Sequence, residues 1–127
     1  MKFYDPVALE EATNEIRRYY AIGRNLVAWD SEGLLTDAAL FGKKRYGLSH
    51  YAASMAMQFA KEYSADEIDK LCKLCREYQC VPGLSLIRML LESVKNKADR
   101  QLLQLGVIAC AWTHRQLRSM INQFPKH

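Results

Sequence analysis

The chain has 127 residues, of which half are hydrophobic and a quarter charged, with a net charge of +4. This balance is typical of a globular protein of one domain, which we expect to span residues 1–127, and it excludes a disordered or collagen-like chain. No apolar run reaches about 18 residues, so we expect no membrane span. The N-terminus lacks the apolar core of a signal peptide, which favours a cytoplasmic protein.

Helical periodicity predicts seven helices in chain order, and no alternating strand pattern of useful length is present. The first begins at Asp5-Pro6, a capping aspartate followed by proline at the first helical position, and its apolar repeat continues to about Trp29. The predicted segments are 5–29, 36–45, 49–63, 64–79, 85–96, 98–111 and 113–124. The predicted fold is therefore all-α, a compact domain of six or seven helices.

The sixth predicted helix contains LLQLGVIACAW and is apolar almost all round, so we expect it to be the central buried helix. The predicted core places residues of this helix together with apolar residues of the first, fifth and last helices. Its members are Leu103, Val107, Cys110, Leu90, Leu117, Ile121, Ile16 and Leu26.

Four cysteines raise the question of a metal site: Cys72, Cys75, Cys80 and Cys110. The stretch CKLCREYQC lacks the second CxxC or the histidine pair of a zinc site. On a helix, Cys72 and Cys75 share a face with Leu71, and Cys110 lies in an apolar run, so buried and reduced thiols are the favoured interpretation. We therefore expect no metal and no cofactor.

The segment GKKRYGLSHYAASMAMQF, residues 42–59, has the outline of a helix-turn-helix. Gly47 can take the left-handed conformation that closes a helix, and Ser49 is a good N-cap for the next one. In such a motif the second helix lies in the major groove of DNA with its first residues at the base edges. The sequence therefore predicts a DNA-binding segment over 36–63.

The candidate contacts fall into two groups, those that read bases and those that reach phosphates. Residues 93–127 carry six Lys or Arg against one Asp, and this basic third of the chain also suits a polyanionic partner. The candidates for bases are Ser49, His50, Tyr51 and Ser54. The candidates for phosphates are Lys43, Lys44, Arg45, Arg115 and Arg118.

Three stretches resemble the N-terminal helical domain of YhcG-like bacterial proteins. They are RRYYAIGRNLV at 17–27, YGLSHYAASMAMQFAKEY at 46–63 and LSLIRMLLESVKNKADRQLLQLGVIACAWTHRQLRSMI at 84–121. In that family the domain usually precedes a PD-(D/E)XK nuclease-like domain and is regarded as a helix-turn-helix-like DNA-binding module. The resemblance implies binding of double-stranded DNA here, with a nuclease domain or another protein as a partner.

Together these features predict a non-catalytic module that binds double-stranded DNA. The alternative is a protein-interaction or oligomerisation module, because seven tyrosines, five methionines and two tryptophans offer adaptable contact surface. The sequence leaves the oligomeric state open. We do not expect an enzyme, since the internal histidines His50 and His114 belong to no recognisable catalytic constellation in the sequence.

Overall fold

The structure is a computed structural model that describes residues 5–31 and 44–123, except the side chains of Asp30 and Ser31. The fold is all-α, as predicted, and six helices have both ends within the described ranges. In chain order they are α1 (Pro6–Ser31), α2 (His50–Glu62), α3 (Ala65–Tyr78), α4 (Leu84–Ser93), α5 (Lys97–Cys110) and α6 (His114–Gln123). Residues 44–46 are also helical, and the rest of the predicted helix 36–45 lies outside the described residues. None of the helices in the described ranges could cross a membrane, being too short or too polar.

Most helix starts were predicted correctly, because the caps act locally. The Val7 amide donates to Asp5 Oδ1 over 3.1 Å at the start of α1. Ser64 and Glu67 exchange hydrogen bonds of 3.0 and 3.1 Å with each other's backbone amides before α3. Two starts differ: the N-cap of α4 is Gly83, two residues before the predicted cap Ser85 and without a side-chain hydrogen bond, and α5 begins at Lys97, one residue earlier than predicted.

The helices group into two compact units. The turn unit is Asn14–Ile68 and contains most of α1, all of α2 and the first residues of α3. The C-terminal unit contains the described residues up to Thr13 and from Asp69 onward. Of the predicted core, Ile16 and Leu26 are buried in the turn unit, whereas the other buried members lie in the C-terminal unit.

Phe59 on α2 is fully buried at the centre of an aromatic cluster in the turn unit. Its ring centroid lies 5.9, 5.6 and 4.8 Å from those of Tyr19, Tyr20 and Tyr63. The buried hydroxyl groups are satisfied, because Tyr19 donates to the Ala52 carbonyl and Tyr20 to the Tyr63 carbonyl, each over 2.9 Å. These bonds tie α1 to both ends of α2.

Small residues allow α1 and α2 to approach closely. A Cβ atom placed on Gly23 would lie 2.6 Å from the carbonyl carbon of Ala56 and closer still to its oxygen. Glycine is therefore required at this crossing for reasons of space. The same contact fixes which face of α2 is turned to solvent.

The core of the C-terminal unit is formed by α4, α5 and α6. Its buried members are Leu86, Leu90, Val94, Leu103, Val107 and Leu117. Met89, Trp112, Met120 and Ile121 pack against them and are partly buried.

The prediction that the helix now labelled α5 is buried all round was wrong. Leu103 and Val107 are buried, but Leu102 is 61% exposed, Leu105 is 39% exposed, and Cys110 is also exposed. The reason is geometric: the buried residues of α5 lie on one side of the helix, where Leu103 and Val107 pack against residues of α4 and α6. An apolar helix is buried all round only when neighbours cover every side.

Adjacent leucines of α5 provide a matched test of this arrangement. We expect Leu103→Ala to lower the free energy of unfolding by about 2–5 kcal/mol, because it leaves a cavity in a packed core. Leu102→Ala should cost less than about 0.5 kcal/mol, because that side chain is already in water. Urea unfolding followed by circular dichroism measures both, and equal losses would contradict the assigned orientation of α5.

Candidate nucleic-acid interface

The predicted turn is confirmed in its backbone and in its cap. Gly47 has φ +69°, in the left-handed region that a side chain disfavours. Ser49 is extended, and its hydroxyl oxygen accepts a hydrogen bond of 3.0 Å from the Ala52 amide. Residues 44–46 are helical and α2 begins at His50, so three residues join two helices. This is the connection expected for a helix-turn-helix.

The turn is held against α1 by apolar packing. Tyr46 and Leu48, on either side of Gly47, are partly buried against Leu26 and Ala53. Asn25 Nδ2 also donates to the Tyr46 hydroxyl over 3.3 Å. These contacts hold the turn, and with it the start of α2, against α1.

The structure brings the predicted base-reading residues together on one exposed face of α2. His50 and Ser54 are one helical turn apart, Tyr51 lies beside them, and all three side chains are exposed. The buried side of α2 consists of Ala52, Ala53, Met55, Ala56 and Phe59. Ser49 is exposed too, but its oxygen is engaged by the cap, so its hydroxyl proton is the group that remains to donate.

The cations predicted to reach phosphates have different positions. Lys44 and Arg45 are exposed at the end of the helical segment that precedes the turn, whereas Lys43 lies outside the described residues. Arg115 and Arg118 belong to the C-terminal unit, where both are exposed on α6 as predicted.

Two further cations in the turn unit were missed. Lys61 follows His50 by eleven residues, about three helical turns, so it lies on the same exposed stripe of α2. Helical spacing could have revealed it. Arg24 is exposed on α1, and its Nη1 donates to the Tyr20 hydroxyl over 3.3 Å. Arg24 lies near Lys61 only because α1 and α2 pack together. No local sequence signal could have revealed this.

Ser85 and His114 form a hydrogen bond that the sequence did not predict. Ser85 Oγ lies 2.7 Å from His114 Nε2, although the residues are 29 positions apart. Both side chains are exposed, and no carboxylate in the described part of the chain orients the imidazole. A catalytic Ser–His pair needs such an orienting group and a binding pocket. The contact links the first turns of α4 and α6.

Three of the four cysteines are buried, as predicted, and Cys110 was predicted wrongly because the end of α5 is exposed. Burial raises the pKa of the Cys75 thiol to about 12, with the neighbouring Cys72 and Cys80 adding to the effect. A thiol with this pKa stays protonated at neutral pH, and metals bind the thiolate. In the ranges that the structure describes, no group of three or more His, Cys, Asp or Glu side chains could hold a metal ion.

Thiol labelling should separate the cysteines. With Ellman's reagent at about pH 8, we expect Cys110 to react within minutes in the folded protein, while the three buried thiols react only after unfolding. Cys110→Ser should abolish the fast phase. More than one fast thiol per native chain would contradict the buried positions of Cys72, Cys75 and Cys80.

Comparison with known proteins identifies no relative. No protein-family model matches the chain, and neither the curated proteins nor the solved structures include one with significant similarity to it. The resemblance to YhcG-like domains therefore stays a prediction.

Proposed function

We propose that this chain is a non-catalytic module that binds double-stranded DNA through the first turns of α2. The observation that carries the proposal is the left-handed turn at Gly47, followed by a Ser49-capped helix whose exposed face begins with His50, Tyr51 and Ser54. The major groove of B-DNA is about 12 Å wide and admits an α-helix. The resemblance to YhcG-like domains supports the same role and favours a nuclease domain as a partner. We also propose that the protein is cytoplasmic.

We assign the exposed side chains to two roles, the reading of bases and the binding of phosphates. His50, Tyr51 and Ser54 carry hydrogen-bond donors and acceptors suited to base edges. Lys44 and Arg45 precede the turn and Lys61 lies near the far end of α2, so cations lie on both sides of the reading face. Contacts of this kind position a protein on phosphates without selecting a sequence. Arg115 and Arg118 offer a second set of phosphate contacts in the C-terminal unit.

Fluorescence anisotropy with labelled duplex DNA at about 50 mM salt tests the proposal. We expect the double variant Lys44→Gln, Arg45→Gln to weaken binding to every duplex by a similar factor. The slope of log K against log salt should become shallower by about 1 for each phosphate that the variant no longer binds. Tyr51→Phe and Ser54→Ala should instead change the preference among duplexes.

The matched control is Lys70→Gln, Lys73→Gln, which removes the same charge from exposed positions of α3 in the C-terminal unit. This control should keep both the affinity and the salt slope of the unmodified protein. If the two double variants weaken binding equally, net charge rather than the turn is responsible. If no duplex binds at tens of micromolar protein, in the range where non-specific binders give signal, the DNA proposal is wrong.

The exposed apolar face of α5 favours the alternative, an oligomerisation module. Leu102 and Leu105 are one turn apart, and the exposed Ala109 follows one turn later. Under this alternative a second copy covers these side chains. Sedimentation equilibrium should then show a mass that rises with concentration and is insensitive to salt, and Leu102→Lys should return the protein to a monomer. A constant monomeric mass would exclude the alternative.

A further inference from the structure

An open cleft of about 420 Å³ lies within the turn unit. Its apolar lining comes from three helices: Val27 and Ala28 of α1, Ala60 of α2 and Ala65 of α3. The buried Tyr20 and Tyr63 also line it. A volume of this size is in the range of small-molecule sites.

Two cations line the same cleft, and none of the described residues that line it is acidic. Arg24 is held in place by Tyr20, which accepts the hydrogen bond from Nη1 and whose ring centroid lies 5.8 Å from the guanidinium carbon. Tyr20 in turn donates to the Tyr63 carbonyl over 2.9 Å. This network fixes the guanidinium without using up its other N–H groups, which find no acceptor among the described residues.

Lys61 and Ser64 add polar groups to the lining. Within the described ranges the Lys61 ammonium has no carboxylate partner. The Ser64 oxygen accepts from the Glu67 amide, so its hydroxyl proton is available to donate. The cleft thus offers hydrogen-bond donors and positive charge beside apolar walls. The carboxylate of nearby Glu67 accepts a hydrogen bond from the Ser64 amide at the start of α3.

We propose that this cleft binds a small organic carboxylate, with the carboxylate on Arg24 and Lys61 and an apolar body against the alanine and valine walls. A planar carboxylate matches the fork of a guanidinium, which can donate two parallel hydrogen bonds to it. The apolar lining disfavours inorganic anions, because they would gain nothing from it and lose hydration. This site does not depend on DNA binding and is tested without nucleic acid.

The test is an NMR titration of the whole chain with phenylbutyrate, a carboxylate with an aromatic body, followed through backbone amide shifts. We expect saturable shifts at Ala60, Lys61, Ser64 and Ala65 with a Kd of about 1 mM, as suits a ligand of this size. The neutral analogue phenylbutyramide should bind at least about tenfold more weakly, because it lacks the charge that Arg24 and Lys61 attract.

The variants Arg24→Gln and Lys61→Gln should each weaken phenylbutyrate binding severalfold, and the control Lys70→Gln, Lys73→Gln should not. Arg24→Gln removes a hydrogen bond to Tyr20 and could disturb the fold. Lys61→Gln removes charge without this risk, because the Lys61 side chain makes no hydrogen bond within the described residues. Three results would each overturn the proposal: equal binding of the amide, equal shifts with inorganic phosphate, or shifts confined to α5.

Discussion

Replacing Gly23 with alanine should lower the free energy of unfolding by about 3 kcal/mol, as measured by urea unfolding followed by circular dichroism. The added methyl group would overlap the carbonyl group of Ala56, which is part of the backbone of α2. A helix backbone cannot rotate out of the way as a side chain can, so α1 and α2 must separate. Alanine normally stabilises a helix by about 1 kcal/mol relative to glycine. The expected loss of stability is the net value after this gain has been subtracted.

Gly106→Ala is the matched control, because it is also a glycine inside a helix. A Cβ atom there would meet the outer ring atoms of Trp112, a partly exposed side chain that can swing aside. We expect a change within about 1 kcal/mol, since the helix preference of alanine offsets the displaced ring. If both variants lose the same stability, the close crossing of α1 and α2 is not what makes Gly23 necessary.

Removing the ring of Phe59 should be the other large effect, with Phe59→Ala costing about 3–5 kcal/mol. The ring is fully buried and touches three tyrosines, two of them from α1. Its loss leaves a cavity and also removes edge-to-face contacts with Tyr20 and Tyr63. Thermal and urea unfolding would both report it.

Phe59→Leu serves as the control for volume and should cost clearly less, about 1–2 kcal/mol, since it keeps most of the buried apolar area. The intrinsic fluorescence of the tyrosines would show whether the cluster has been disturbed. A loss below about 1 kcal/mol for Phe59→Ala would mean that the aromatic cluster is not the centre of the turn unit.

Sequence reasoning located the turn well because each of its parts acts over a few residues. A left-handed glycine, a capping serine and the period of α2 are all local properties, and each follows from backbone geometry. The exposure of His50, Tyr51 and Ser54 follows from the same period, once the alanines of α2 are assigned to the buried side. Reasoning of this kind also placed the caps of α1, α3 and α6.

Sequence reasoning failed where the surroundings of a residue depend on neighbours that are distant in the chain. The composition of α5 indicated burial on every side, but packing within its unit covers one side and leaves Leu102, Leu105 and Cys110 exposed. Arg100 is one of the six cations counted in the basic third of the chain, but it is not exposed to a polyanionic partner. It is 3% exposed, and its Nη1 donates to the buried Val94 carbonyl over 3.4 Å.

The amino-acid sequence is enough to specify the helices, their caps and the conformation of the turn, because the forces that act there reach only one helical turn along the chain. Tertiary packing was needed to show that Gly23 meets Ala56, that Ser85 meets His114 and that Arg24 joins Lys61 at one cleft. Contacts between residues so far apart depend on how helices cross, and the crossing is selected by the packing of whole faces. A pattern along one helix carries no information about which face of another helix it will meet.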